Sequence, residues 1–168
     1  MKLTFSEDNE LWTRRFACLK KIASSQVDVG LTSSASQRSR FLMAIHEHGA
    51  PGMRIPPRPV IAPALADASA REAISAALVG SVSAAMDGDE GKVDASLEEA
   101  GEAGVQAIRD YIDAGVPPPN SPVTVDGGWI YNRIARKGVP VGGKGFNKPL
   151  VDTGALYNDF DYEVKNRE

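Results

Sequence analysis

The stretch PLVDTGALYNDFDYEV, from Pro149 to Val164, decides how the rest of the chain is read. Its second half alternates, with Leu156, Phe160, Tyr162 and Val164 on one side and Tyr157, Asp159, Asp161 and Glu163 on the other. That period predicts a half-buried strand. Its first half is a turn. Asp152 and Thr153 can bond nearby backbone N–H groups as a turn or helix cap, Gly154 frees φ, and Leu156 starts the buried stripe.

Upstream, Asn9 to Ser24 reads as a helix, because Leu11, Trp12, Phe16, Leu19 and Ile22 recur at three- and four-residue steps. Val27, Val29 and Leu31 then alternate as a strand, and Ser33 to Arg40 is a polar loop. FLMAIHEHG, ending at Gly49, is open between strand and helix. Five prolines between Pro51 and Pro63 make an extended connector, since proline neither donates to a ladder nor continues a helix. Pro63 can open the next helix. That helix carries Ile74, Leu78, Val82 and Met86 at every fourth position. It is expected to be already running where Ser69 and Glu72 mimic a capping box.

Lys92 to Ala114 predicts a second long helix, with Val93, Leu97, Gly101, Val105, Ile108 and Ile112 on one face. Mid-helix glycine costs about 1 kcal/mol relative to alanine. Gly101 and Gly104, beside Ala100 and Ala103, therefore point to close approach by another backbone, with an inter-subunit contact as one candidate. Ile130 to Lys137 is a short basic segment. The Gly-rich run behind it carries Lys144, Phe146 and Lys148, which are read as a flexible loop or as a clamp onto a neighbouring subunit. The predicted fold is α+β: a small, mostly antiparallel sheet packed on two or three helices, with long Pro- and Gly-rich loops.

The 168 residues suit one domain, residues 1 to 168, with about 70% of its unfolded surface buried. A net charge of −3 argues against whole-surface attraction to nucleic acid or anionic membrane. Cys18 stands alone, so no internal disulfide is possible. The charged start lacks a signal-peptide core, and no apolar run approaches the ~20 residues of a membrane span. A soluble protein made in a cytoplasm is expected. Asp87 to Asp113 is strongly acidic, opposed only by Lys92 and Arg109, and reads as a solvated helix face or as a surface turned towards a partner or channel.

Four chemical readings can be tested on the residues. Asp152-Thr153-Gly154 matches the local signature of an aspartic protease, in which two carboxylates share a proton beneath a flap. The sequence after it is too short for a flap and barrel, and no second such triplet lies upstream. His46 and His48 would share a face on a strand and offer two metal ligands, without an obvious third. No Gly-x-Ser-x-Gly, P-loop or dinucleotide fingerprint occurs, so no catalytic residue, cofactor or metal is expected. A DNA-binding accessory role would use Arg133, Arg136, Lys137, Lys144 and Lys148.

Three motifs stand in order along the chain. They are Glu47 and Gly49; Ile55, Pro56, Arg58 and Pro59; and Leu150, Asp152, Thr153, Gly154 and Leu156. With the helical middle between them, this set resembles the virion-morphogenesis and tail-completion proteins of tailed phages, of the kind found in phages HK97 and Mu. The resemblance covers roughly Val27 to Val164. Val60 stands where such proteins often carry Phe, and residues 127 to 148 read as a loop insertion. The resemblance implies a non-enzymatic structural subunit of the phage neck: a head–tail joining, tail-completion or tail-terminator protein. Its expected partners are copies of itself in a ring and other neck, connector or tail-tube proteins, with DNA only as passing cargo. A minor capsid or other morphogenesis factor is the alternative it allows.

Overall fold

The computed structural model describes residues 6–53, 55–132 and 134–167; Arg133 of the basic segment lies outside them. The fold is α+β. In chain order it runs α1 (Ser6–Ser24), β1 (Ser25–Gly30), α2 (Gln37–His48), α3 (Ile61–Ala66), α4 (Ala68–Asp87), α5 (Glu90–Ala114), α6 (Pro122–Asp126), β2 (Gly127–Asn132), β3 (Lys137–Gly142), α7 (Ala155–Asn158) and β4 (Asp161–Asn166). A 3-10 turn, Pro51–Met53, lies inside the proline connector.

Helix α5 is the axis. Val93, Leu97, Ala100, Gly101, Gly104, Val105, Ile108 and Ile112 are all buried, as their three- and four-residue spacing requires. Its N-terminal half joins Cys18, Ala84 and Ala85 in one apolar cluster, with Ile22 and Val27 against it. Its C-terminal half joins Met43, Val60, Ala64, Val116, Leu156 and Phe160 in another.

The sheet is two separate antiparallel pairs. Strand β1 pairs with β4, setting Val27 opposite Val164 and Val29 opposite Tyr162. This pair lies on α5, and its side chains occupy the space the helix glycines leave. A Cβ on Gly101 would meet the Tyr162 ring, and one on Gly104 would come within 2.9 Å of Val29 Cγ2. The neighbour that approaches these glycines is therefore the chain's own sheet, which corrects their reading as inter-subunit contacts.

Several local expectations give way to capping. The proline-led helix does not run through Ser69; it breaks at Asp67, whose carboxylate accepts from Ser69 N (2.9 Å) and starts α4 afresh. Ser36 caps α2 through Ser39 N at 3.1 Å, so Gln37 to Arg40 are helical rather than loop. The segment open between strand and helix is α2. Gly88 ends α4 with φ +71°, and the next residue, Asp89, caps α5 by accepting from Lys92 N. Leu156 sits in the short α7, so the alternation from Leu156 becomes a true strand only at Asp161.

The segment from 127 to 148, expected as a loop, contains a β-hairpin, β2 with β3, that pairs Trp129 with Pro140, Ile130 with Val139 and Tyr131 with Gly138. Its turn is closed by Asn132 Oδ1, which accepts from Ile134 N and Ala135 N. No described helix is long and apolar enough to cross a membrane.

Candidate interaction surfaces

The motif residues converge on one side of the fold, where they fasten connectors to helices. Glu47, near the end of α2, turns its Oε1 onto Val60 N (3.1 Å) and Ile61 N (3.3 Å), capping the start of α3. Gly49 has φ +71°, and a Cβ there would stand 2.9 Å from both Ile55 O and Pro57 N. Only glycine lets the connector fold back closely enough for Ala50 and Ile55 to pair. Pro56 and Pro59 are exposed on either side of this return.

Arg58 is 7% exposed, and its guanidinium donates to Pro118 O (Nε, 2.7 Å) and Pro119 O (Nη2, 3.0 Å). Burial pushes its pKa down. The fork therefore pins the loop after α5 to the proline connector through two carbonyls. The adjoining His46 is half-buried, and its Nδ1 has no hydrogen-bond partner among the described residues. Burial, then the Arg58 and Lys144 charges, hold its pKa below the ordinary histidine value. His46 and His48 lie two residues apart on a helix, about 200° round it, so they do not share the face a strand would have given them. Among the described residues no group of three or more His, Cys, Asp or Glu side chains is placed to hold a metal ion.

The third motif closes the same region. Leu150 takes φ +63°, a left-handed conformation unusual for leucine, while packing against the apolar cluster. Thr153 Oγ1 accepts from Ala155 N at 3.4 Å, Gly154 occupies the cap position of α7, and Leu156 is buried. Asp152 is exposed and accepts no hydrogen bond among the described residues; its charge faces Lys144. The cap expected of Asp152 thus falls to its neighbour.

The Gly/Lys loop is anchored on its own chain. Lys144 Nζ donates to Lys148 O and to Val151 O (2.7 Å) and lies 4.7 Å from the Phe146 ring centre. Lys148 reaches Asp113 on α5 at 3.2 Å, and the Tyr157 hydroxyl donates to the same carboxylate at 2.9 Å. Lys144 and Lys148 therefore close an internal loop, with Lys144 partly buried and Phe146 and Lys148 exposed. Of the basic set, Arg136 and Lys137 stand exposed at the hairpin turn.

Own-chain pairing also reduces the acidic stretch. Lys21 bridges Glu90 (2.9 Å) and Asp94 (2.6 Å), and Lys92 meets Asp89 at 3.2 Å. Glu98, Glu99 and Glu102 remain exposed without an ion pair among the described residues. A groove of about 510 Å³ between α4 and α5 is lined mainly by alanines. Its two carboxylates are occupied, Asp67 as the α4 cap and Asp110 accepting from Gln106 at 2.8 Å.

Apolar side chains also remain outward, in stripes whose periodicity is visible in the sequence. On α1 the side facing the protein is Leu11, Arg15, Cys18 and Ile22. Trp12, Phe16 and Leu19 form a parallel stripe in solvent, with Phe16 72% exposed. On α4 the buried residues are Ala70, Ala77, Ser81, Ala84 and Ala85, while Leu78, Val79, Val82 and Met86 face out. The four-residue repeat of Leu78, Val82 and Met86 marks the helix but not its buried side. The core side is instead the small-residue side, because alanines let α4 sit close to α5. The hairpin likewise exposes Trp129, Ile130 and Tyr131, with Ile134 at its tip.

No family model, curated protein or solved structure matches this chain.

Proposed function

We propose that the chain is a structural subunit of the neck or tail end of a tailed phage, which assembles with copies of itself into a ring through which DNA passes. The observation that carries this reading is the division of labour among the side chains. The ordered motifs that resemble the tail-completion proteins are used as internal fasteners, with Glu47 and Arg58 holding backbone. A second set of large apolar side chains is left on the outside, on α1, α4 and the hairpin. On α4, Leu78, Val79 and Val82 line one open apolar groove, and exposed apolar surface of this kind marks association. A joining subunit needs a firm body and several surfaces committed to neighbours, and this arrangement supplies both.

The exposed Glu98, Glu99 and Glu102 fit a lining past which DNA slides, since carboxylates repel phosphate where lysines would hold it. Partners above and below the ring would be connector or tail-tube proteins. The test is imaging of intact virions with the subunit tagged at a surface loop. Density at the head–tail junction or the tail end supports the reading. Density in the capsid shell would favour a minor capsid role, and absence from the particle would refute a structural one.

A further inference from the structure

We propose that the β2–β3 hairpin of one copy lies across the apolar face of α1 and α4 on the next copy, a head-to-tail contact between two different surfaces. The proposal rests on the ring reading above and names the partner of each surface as a second copy of this chain.

The hairpin is an arm without a core of its own. Trp129 and Tyr131 share one face with Pro140 and Gly138, and Ile130 shares the other with Val139. Trp129 is 72% exposed and Ile134 is 96% exposed. Among the described residues the ribbon rests mainly on the five-residue α6. A two-stranded ribbon is marginal in water unless something covers it. The face offered by α1 and α4 has the opposite need. From Ala73 to Met86 α4 carries no charged residue. The exposed parts of Trp12, Phe16, Leu19, Leu78, Val79, Val82 and Met86 total on the order of 700 Å². That exceeds the largest patch of a typical monomer, about 300–600 Å². It also matches the roughly 800 Å² that each partner contributes to a stable interface.

Reach decides that the two surfaces come from different copies. The arm is rooted at the C-terminal end of α5, where Asn147 accepts from Asn120 N and Lys148 holds Asp113. The apolar face lies over the N-terminal half of α5, where Gly80 abuts Ser96 and Lys21 holds Asp94. Asp94 to Asp113 spans about 28 Å of helix, and six residues of strand extend only about 20 Å. An arm on the neighbouring copy meets no such limit. Charge agrees with this pairing. The turn of the arm carries exposed Arg136 and Lys137, and the groove bordering the face at Gly80 and Ser83 is lined by Asp87 and Glu99 against the single Lys92, which is itself paired with Asp89. Because the arm and its seat are different surfaces, each copy both gives and receives, and the contact generates a ring when the rotation closes.

The test is complementation between two full-length variants. The arm variant carries Trp129→Ala and Tyr131→Ala; the face variant carries Val79→Glu and Val82→Glu. All four positions are exposed, and circular dichroism melts check folding. Phe16→Glu on α1 serves as a second face variant where the α4 pair does not fold. Mass is read by light scattering. Wild type should exceed a dimer, each variant alone should be a monomer, and an equal mixture should double in mass to a one-to-one heterodimer. A mixture that stays monomeric, or an arm variant that assembles like wild type, overturns this contact but leaves the ring reading standing. A dimer that survives in the arm variant and is lost in the face variant overturns it in favour of symmetric α1–α4 pairing. Wild type monomeric at every concentration overturns both.

Discussion

Replacing Gly101 by alanine tests the packing that organises the fold. Two effects oppose. Alanine in a helix interior is favoured over glycine by about 1 kcal/mol. Against that, the new Cβ would lie 2.5 Å from Tyr162 Cγ and 3.0 Å from Tyr162 Cβ, closer than carbon atoms approach. These atoms are the root of the side chain, and the register with Val29 fixes their strand, so the ring cannot simply swing aside. Overpacking of this kind costs about 1–3 kcal/mol or more. The steric term wins, and Gly101→Ala should destabilise by about 1–2 kcal/mol, a fall of a few degrees in Tm for a chain of this size. Urea denaturation would measure it directly. In a Tyr162→Ala background most of the clash is gone, and the same substitution should become neutral or stabilising. A Gly101→Ala variant more stable than wild type, or equal losses in both backgrounds, would refute close packing of the sheet on α5.

Arg58→Ala should lose about 3 kcal/mol, because two charge-assisted bonds to Pro118 O and Pro119 O vanish; Arg58→Lys should recover only part. Chemical denaturation of the three proteins is the check. Asp152→Ala, by contrast, should shift stability by less than about 0.5 kcal/mol, as for an exposed side chain that caps nothing. Acid should act in two stages. The folded pKa of His46 is depressed, so below about pH 6.5 the unfolded chain binds a proton that the fold resists, and stability falls as pH drops from there. Glu163 follows: its folded pKa is lowered to about 2 by Lys165 and Ser33, so stability present above the ordinary carboxylate range is lost as pH falls towards that value. Melting curves against pH should show both stages, and His46→Asn should remove the first while leaving the second.

The axis of the fold was readable in the chain. The apolar spacing of α5 is long and regular, and its glycines announced a close neighbour. The alternation of Val27, Val29, Tyr162 and Val164 marked two strands that pair. Spacing could not say which neighbour fills the glycine notch, because Tyr162 and Val29 reach it through tertiary packing. Nor could it tell the inward from the outward side of α1 and α4. An apolar stripe signals burial, and a stripe left in solvent has the same period as one facing the core. The alanine side of α4 was the true inner face, a choice made by how closely α4 and α5 approach. The hairpin was hidden for a different reason: Pro140 and the glycines around it look like loop chemistry, whereas Trp129, Ile130, Val139 and Val141 carry the strand character. Of the candidate site, the residues of the three motifs were all identifiable, but their tasks as clips on backbone emerge only from the geometry of Glu47 and Arg58.

The most direct measurement is the mass of the purified chain in solution across a range of concentrations, by analytical ultracentrifugation. A self-assembling ring subunit predicts a concentration-dependent step from monomer to one closed species of more than two copies, abolished by Val79→Glu with Val82→Glu. A chain that stays monomeric throughout, or that ends as a dimer indifferent to those substitutions, would contradict the account.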